Sequence, residues 1–398
     1  MTVNRIRLPG MKIKSLLMLS LLLPFVSGCS PDVIEISDIA LVMALGIDYD
    51  QQTKLYTFST YNVMPTALST DKAGKLTGWT ASVTGKSVID TGRNLRGRLG
   101  KTLIFQHNKF VLIGEEAATH SFYEIMDFLM RNRQIRLTSY LVVTEGQASD
   151  KLKVRTQSGD LLSNDLFGKV RNEKEWGKSM TQSIQMVANW YTDPCRGFVT
   201  GRLGVTRQKN DTQQALALRG GAVFNKGKFK QWIQGDDVLV IQLLSERNRW
   251  KNLEFPRVVS YKGHDTSIYF KPSKQSIRSR FRHGKPSIEI ALTISAALGE
   301  IGQPLPLNSP AVIASMEKAA SKEIERLIQA SLASFQHVIR ADVLGFSQLL
   351  SQYHPTGWAA IKQNWDEVYP SMPVTVHVNV KIEKVGMIQY AKERQYAE

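Results

Sequence analysis

The sequence predicts a mixed α/β (α+β) fold. Largely antiparallel sheets and their helices form several small domains, with one long helix near the C-terminus. Three observations lead to this prediction. Stretches with helical and strand periods alternate through the first half of the chain. In the second half, runs with every second residue apolar are typical of antiparallel strands that bury one face. Finally, apolar residues recur every three or four positions for about eight turns after Ser309-Pro310.

The start of the chain predicts export. Four basic residues lie within the first 14 positions, and a mostly apolar run from Leu16 to Val26 follows them. This run is too short to cross a bilayer as a stable helix and fits a secretory signal. Val26-Ser27-Gly28-Cys29 resembles the lipobox of bacterial lipoproteins, so we expect residues 1–28 to be a lipoprotein signal peptide and Cys29 to carry the lipid. An ordinary signal peptide is the alternative, and Met11 is a second candidate start.

The composition describes a globular chain of 398 residues, with 42% hydrophobic and 22% charged residues. Its length after cleavage is enough for two or three domains. The formal net charge is +16, and loss of the four basic residues in the signal segment leaves +12. Such an excess favours an anionic surface such as phospholipid headgroups or wall polymers. Export argues against nucleic acid, and a basic surface without a partner is an equally good interpretation.

The first half of the chain alternates between strand and helix patterns. The predicted elements, in order, are strands over 39–47 and 55–58, a helix over 86–99, a strand over 110–113, a helix beginning at Ser121, a strand over 137–143 and a helix over 179–191. Ser121 and Glu124 have the spacing of a capping box, in which each side chain accepts a backbone N–H of the first helical turn. These elements predict helices packed on a sheet.

A polar run from Arg207 to Gln214 predicts the boundary between two domains, because it lacks apolar residues to bury. We therefore expect domains over residues 29–206 and 215–390, with a further division near residue 300 left open. Beyond the boundary, alternating strands predict an antiparallel meander. On one of these strands Arg278, Arg280 and Arg282 share the solvated face. They form either an anion-binding strip or, as we favour, charges that keep an edge strand from aggregating.

A long helix is predicted to begin at Ser309, an N-cap residue that is followed by Pro310 at the first helical position. Its apolar stripe runs to Val338, and Gly345 ends it. A helix of about thirty residues is about 45 Å long, so it must cross a whole domain, and we expect it to lie on a sheet. The features expected beyond it are the core residues Trp358, Ile361 and Trp365 and a final strand over 374–382.

No residues with recognised catalytic or ligand spacing emerge. The seven histidines do not occur at metal-ligand spacing. Gly85-Lys86-Ser87 looks like the end of a phosphate loop, but Thr80 occupies the position where that loop needs a glycine. The adjacent pairs Glu115-Glu116 and Asp236-Asp237 would point to opposite faces of a strand. Cys195, with no disulfide partner, is predicted to be buried. We therefore expect no catalytic, cofactor or metal site, and no enzyme.

Several stretches, in the same order along the chain, resemble the Ger(x)C family of lipoproteins, the C subunits of spore germinant receptors. They are the lipobox at Cys29, residues 35–48, 114–117, 128–132, 135–138, 221–224 through Trp232, 342–346 through Pro355, Trp358, Trp365 and residues 374–386. The chain departs from the family at Ser30-Pro31, where an aromatic or charged residue is common. It also has Gly345-Phe346-Ser347 where the family has Gly-Phe-Gly.

The resemblance implies a lipid-anchored, non-catalytic subunit of a nutrient germinant receptor that is required for spore germination. Such a subunit works with two integral-membrane partners, one of them transporter-like, on the exported side of the inner spore membrane. The resemblance also implies that residues 29–206 and 215–390 are the N- and C-terminal domains of this subunit. The alternative is a solute-binding lipoprotein of an importer, which predicts a ligand cleft between two similar α/β lobes.

Overall fold

A computed structural model describes residues 34–65, 78–156, 159–207, 214–245, 249–302 and 305–384. Its strands form two sheets, called here the first sheet and the second sheet, and helices pack on both. The mixed α/β fold class predicted from the sequence is confirmed. The predicted signal peptide and Cys29 lie outside the described residues.

The first sheet has ten strands within the described part of the chain. They are β1 (Ile39–Asp50), β2 (Leu55–Val63), β3 (Trp79–Gly85), β4 (Thr102–Ile104), β5 (Phe110–Gly114), β6 (Tyr140–Thr144), β7 (Gln182–Ser183), β8 (Gly197–Arg207), β9 (Gln214–Asn225) and β10 (Lys228–Ile233). Their order across the sheet is β10-β9-β8-β6-β5-β1-β2-β3, with β4 against β1 and β7 against β6. The four central strands β1, β5, β6 and β8 run parallel to one another.

Helices cover both faces of the first sheet. They are α1 (Val88–Leu99), α2 (Glu115–His120), α3 (Phe122–Arg131), α4 (Ala148–Leu152), α5 (Leu162–Trp176) and α6 (Ile184–Tyr191). Helices α1, α2, α3 and α6 bury apolar residues against one face, and α4 and α5 do so against the other. Parallel neighbours need such crossover helices, and a strand covered on both faces is apolar along its length, as β5 is.

The second sheet has the strand order β11-β12-β13-β14. Its strands are β11 (Phe255–Tyr261), β12 (His264–Arg282), β13 (Lys285–Ile301) and β14 (Val374–Lys384), and its helices are α7 (Gly235–Leu243), α8 (Pro310–Ala333), α9 (Phe346–Tyr353), α10 (Pro355–Ile361) and α11 (Trp365–Ser371). The first three strands form the predicted antiparallel meander. Strand β14 lies parallel to β13, because the helices between these two strands carry the chain back across the sheet.

Helix α8 lies on the second sheet, as predicted, and contacts both edge strands, β11 and β14. Its 24 residues make it about 36 Å long. A π-helical turn, Ser334–Ile339, follows it and changes the number of residues per turn, so Val338 leaves the apolar stripe and is 70% exposed. Pro310 takes the predicted first helical position, but Ser309 makes no side-chain cap hydrogen bond.

Side chains of α8 also cover the outer edge of β14. Three backbone N–H groups of this strand donate to them: Val378 to Glu325 (2.9 Å), Val380 to Ser321 (3.0 Å) and Ile382 to Glu317 (2.9 Å). An open edge strand offers such N–H groups to a strand of another molecule. The helix therefore protects this edge of the second sheet.

The first sheet continues across the predicted domain boundary. That boundary falls in the connection between β8 and β9, which pair from Gly197 with Asn225 to Arg207 with Gln214. Residues 216–232, expected to open the second half, therefore belong to the first sheet. The physical reason is that consecutive strands pair with each other more often than not, whatever the polarity of the segment that joins them.

The start of α3 differs from the predicted capping box. The Ser121 hydroxyl donates to Glu124 Oε2 (3.1 Å) and shares a hydrogen bond with the Tyr56 hydroxyl, so it does not cap a backbone N–H. Tyr56 lies on β2, and its contact with Ser121 forms only once the sheet and helix have packed. The strand predicted from residue 137 begins at Tyr140, and the helix predicted from residue 179 begins at Ile184.

Candidate functional site

The parallel strands β1, β5, β6 and β8 end together, and we call this end of the first sheet the carboxyl edge. In open α/β sheets, ligands are commonly bound at this end. Here the position is filled by Asp48, whose carboxylate accepts the N–H groups of Ala148 (2.6 Å) and Ser149 (2.9 Å) at the first turn of α4. Burial raises the pKa of Asp48 above its ordinary value, while these two N–H groups act to lower it. Asp48 therefore ties β1 to α4.

A second group of side chains joins the ends of β5, β6, β8 and β10. Glu115 Oε1 accepts the indole N–H of Trp232 at 3.0 Å, and Glu115 Oε2 accepts the N–H of Gly146 at 3.1 Å. The Arg202 guanidinium lies 5.0 Å from the centre of the Trp232 ring, and its Nε donates to Glu145 Oε1 at 2.7 Å. Each charged group has a protein partner, so the carboxyl edge is held together by its own side chains.

The two sheets meet at a loop organised by Asp342. Its buried carboxylate accepts the N–H groups of Gly345 (2.9 Å), Phe346 (2.9 Å) and Ser347 (2.7 Å) at the start of α9. Burial raises the pKa of Asp342, and the Ser347 contacts, the Arg196 charge and the Phe346 N–H act to lower it. Gly345 adopts φ +79°, which favours glycine, and a Cβ there would meet the Arg196 guanidinium.

Arg196 makes this loop part of the contact between the sheets. Its guanidinium lies 4.9 Å from the centre of the Trp190 ring and hydrogen-bonds to Gln348 on α9. The Gln348 amide in turn donates to Asp193 at 3.2 Å, and the N–H of Gly197 donates to the carbonyl of Asp342 at 3.1 Å. Helix α9 is thus bound to the chain that leads into β8.

A cavity lies between the two sheets, beside Arg196 and Gln348. Its walls include Met180, Phe198 and Leu344, and its volume is about 90 Å³. Pockets for small molecules usually hold about 300 Å³ or more. This cavity therefore has room for a few water molecules rather than for a nutrient or sugar.

The arginine strip predicted from the sequence lies on β12. Strand β13 pairs with β12 along one side as far as Arg282. On the other side, β11 pairs only with residues 264–270, so the rest of that side of β12 is a sheet edge. Arg278, Arg280 and Arg282 are all exposed, and Arg280 donates to Glu289 at 2.6 Å. The strip therefore lies at a sheet edge, which agrees with the protective interpretation.

The adjacent carboxylate pairs do not lie on strands as expected. Glu115-Glu116 and Asp236-Asp237 lie at the first turns of α2 and α7. Each carboxylate has a separate partner: Glu116 accepts the N–H of Gln51 (3.2 Å), Asp236 pairs with Arg257 (2.8 Å) and Asp237 accepts the Ser331 hydroxyl (2.8 Å). These contacts join separate elements of the fold.

The structure also shows the surroundings of Cys195 and of the possible metal ligands. Cys195 is partly buried, and burial raises the pKa of its thiol, which disfavours the reactive thiolate. Within the described ranges, no three His, Cys, Asp or Glu side chains lie close enough together to hold a metal ion. In that same part of the chain, every helix is too short or too polar to span a membrane. Cys29, the predicted lipid site, lies outside it.

Sequence reasoning did not single out Asp48, Asp342 or Arg196. The available signal was a lone carboxylate next to apolar residues: Asp48 follows Gly46-Ile47, and Asp342 precedes Val343-Leu344. A charged residue in such a place is buried only when hydrogen-bond partners compensate for the lost hydration. The partners of Asp48 lie about one hundred residues away, so sequence alone could not name them.

Comparison with known proteins identifies the family. A family described as "Spore germination protein N-terminal domain" matches residues 32–204, and one described as "Spore germination B3/ GerAC like, C-terminal" matches residues 219–386. Together these matches cover most of the chain, in the order that the resemblance implied.

Individual relatives agree with this assignment. Spore germination protein KC of Bacillus subtilis (strain 168) is 24% identical over 380 residues, covering 89% of this chain and 91% of that protein. Spore germination protein B3 of the same organism is 22% identical over 370 residues, covering 91% and 95%. The crystal structure of the GerBC protein shares the fold, with a TM-score of 0.57 at 17% identity over 85% of this chain and 96% of that one. The chain therefore belongs to the Ger(x)C family of spore germination proteins.

Proposed function

We propose that this protein is a lipid-anchored, non-catalytic subunit of a nutrient germinant receptor, held at the inner spore membrane on the exported side. In this proposal it acts through contacts with two integral-membrane partner subunits, one of them transporter-like. The observation that carries the proposal is the match of both family domains, in order, behind a sequence that resembles a lipobox at Cys29.

The surroundings of the buried polar residues support a role based on contacts rather than chemistry. Asp48 and Asp342 hold helix starts, and Glu115 and Arg202 join strand ends. Catalytic groups, in contrast, must reach a substrate atom to move a proton or form a bond. The surface is then the part of the protein through which partner subunits are engaged.

A solute-binding lipoprotein of an importer remains the alternative function. It predicts two similar lobes around a ligand cleft, whereas a ten-stranded mixed sheet here lies beside a four-stranded one, so the two halves of the molecule are not alike. The neighbouring reading frames separate the two functions: genes for two multi-span membrane proteins favour the receptor, and genes for an ATPase with permeases favour the importer.

The decisive test of function is deletion of the gene followed by nutrient challenge of the spores. We expect the deletion strain to lose its germination response to at least one nutrient, and the wild-type gene to restore it. A strain that lacks every other receptor of this family removes redundancy. Normal germination of the deletion in that strain, with every nutrient tested, would contradict the proposal.

The anchor has its own test. The Cys29→Ala variant should lose incorporation of labelled palmitate and move from the membrane to the soluble fraction, because the thiol that carries the lipid is gone. Cys195→Ala is the matched control, since it removes the other cysteine of the chain, and it should keep both properties. Palmitate incorporation into Cys29→Ala would show that the anchor lies elsewhere.

A further inference from the structure

Two arginine-rich segments meet on one side of the first sheet. Helix α1 carries Arg93, Arg96 and Arg98, and the end of α3 with the connection to β6 carries Arg131, Arg133 and Arg136. We call these six residues the arginine cluster. All six are exposed, and Arg96 Nη2 donates to Gln134 Oε1 at 2.8 Å, which links the two segments.

Acidic residues neutralise only part of the cluster. Asp127 on α3 pairs with Arg131 at 2.6 Å, and Asp90 on α1 hydrogen-bonds to Asn94. With Glu124, which also lies on α3, three carboxylates oppose the six arginines and leave an excess of three positive charges on the two helices and the connection. Such an excess attracts an anionic surface, and guanidinium groups bind phosphate oxygens in a two-point geometry.

A groove with an apolar floor opens between the same two segments. Its floor is formed by Phe58, Phe105, Phe128 and Ile135, its rim includes Arg93, Arg96 and Arg131, and its volume is about 380 Å³. The neighbouring Ile89 on α1 is 56% exposed. An apolar floor with a cationic rim matches an amphiphile that carries a negative head.

The segment that follows the predicted lipid anchor lies beside the end of α1. Lys101 follows α1 directly, and its ammonium group donates to the carbonyl of Ser37 at 2.7 Å. Ser37 is eight residues beyond Cys29 in the sequence. Eight fully extended residues span at most about 28 Å, so Cys29 stays within about that distance of Ser37.

We infer that the arginine cluster and its groove dock on anionic phospholipids of the membrane, so that this side of the first sheet faces the bilayer. The location rests on the lipid anchor proposed above. A basic surface next to the anchor adds electrostatic attraction to anionic lipids and so decides which side of the protein faces the bilayer. The arginines bind the lipid phosphates, while the groove takes the apolar part of the lipid beside them.

The test uses the mature chain with Cys29→Ser, which carries no lipid, and vesicles of phosphatidylcholine with or without phosphatidylglycerol. The chain with the unaltered arginine cluster should bind the vesicles that contain phosphatidylglycerol and should not bind those of phosphatidylcholine alone. Replacement of Arg93, Arg133 and Arg136 by Gln should weaken this binding roughly 150-fold, since each basic residue at an anionic membrane contributes about 1 kcal/mol. Within the described residues these three side chains make no hydrogen bond or ion pair, so their loss should leave the fold intact.

The matched control is the triple variant Arg278→Gln, Arg280→Gln and Arg282→Gln, which removes the same charge from the edge of the second sheet. It should change vesicle binding by less than about threefold, because this strip lies on another part of the molecule. Equal losses in both triple variants would show that net charge alone attracts the membrane, and would overturn the inference. Equal binding to vesicles with and without phosphatidylglycerol, or no binding to either, would also overturn it.

This experiment separates the inference from the proposed anchor. Vesicle binding is measured on a chain without lipid, whereas the anchor is tested by palmitate incorporation at Cys29. Palmitate incorporation that persists in Cys29→Ala overturns only the anchor, and loss of the preference for anionic vesicles overturns only the docking surface. Circular dichroism and the urea midpoint of each triple variant confirm that the compared chains are folded.

Discussion

Asp48, on β1 of the first sheet, and Asp342, in the loop before α9, are buried carboxylates that accept backbone N–H groups at the first turn of a helix. Asp342 binds three N–H groups that lie three to five residues further along the chain. Asp48 binds two, which lie 100 and 101 residues away. The same interaction is therefore local at α9 and long-range at α4.

This difference in sequence separation shows how the starts of α4 and α9 are stabilised. The first four N–H groups of a helix have no partner within the helix, so each needs an acceptor from elsewhere. At α9 the acceptor comes with the segment itself, and Gly345 at φ +79° turns the chain toward it. At α4 the acceptor arrives only when β1 has joined the sheet, so Asp48 couples formation of the helix to formation of the sheet.

The largest effect is expected for Asp342→Ala. This change leaves three buried N–H groups without an acceptor and removes a charge partner of Arg196, so it should lower the free energy of unfolding by about 3–5 kcal/mol. Urea denaturation of the mature chain measures the loss. Asp366→Ala, which removes an exposed partner of Lys226, is the control and should stay within about 1 kcal/mol of the wild type. A similar midpoint for both variants would mean that the Asp342 loop contributes little.

Asp48→Ala should have the second-largest effect, a loss of about 2 kcal/mol, because two N–H groups lose their acceptor instead of three. Since the contact joins distant segments, the amides of both α4 and β1 should exchange faster with solvent. Hydrogen exchange therefore distinguishes it from Asp342→Ala, whose fastest exchange should stay near α9. Asp50→Ala, a change at an exposed turn, should leave exchange at α4 unaltered. Faster exchange confined to β1 would show that Asp48 does not couple the two elements.

The smallest effect is the dependence of stability on pH. Burial raises the pKa of Asp48 above that of the unfolded chain, so the folded state binds more protons between the two pKa values. The Asp48 contribution to the free energy of unfolding therefore falls as pH rises through this window, which begins near the ordinary aspartate pKa of about 3.9. Asp48→Asn removes this dependence. The difference in unfolding free energy, wild type minus Asp48→Asn, should decrease from about pH 4 to pH 7. An increase over that range would mean that the N–H donors outweigh burial.

Patterns of apolar residues predict the longer amphipathic elements but not β8 or the short helices α2, α4, α9, α10 and α11. Periods of two marked β12, β13 and β14, and spacings of three and four marked α3 and α8. These patterns are read correctly because one face of each element must be buried. The cap predicted at Ser121 is wrong because the Ser121 hydroxyl binds the hydroxyl of Tyr56, which is 65 residues away in the sequence. A prediction based on neighbouring residues cannot detect such a partner.

The sequence by itself determined the fold class, the order of the longer amphipathic elements and the resemblance to the family, since each of these depends on residue types at short spacing. Only the tertiary structure decided the acceptor for α4, the extension of the first sheet to Ile233 and the meeting of two arginine-rich segments at one groove. The physical reason is that burial is satisfied by many arrangements, whereas hydrogen bonds and grooves need particular partners. Those partners are brought together by the packing of segments far apart in the chain.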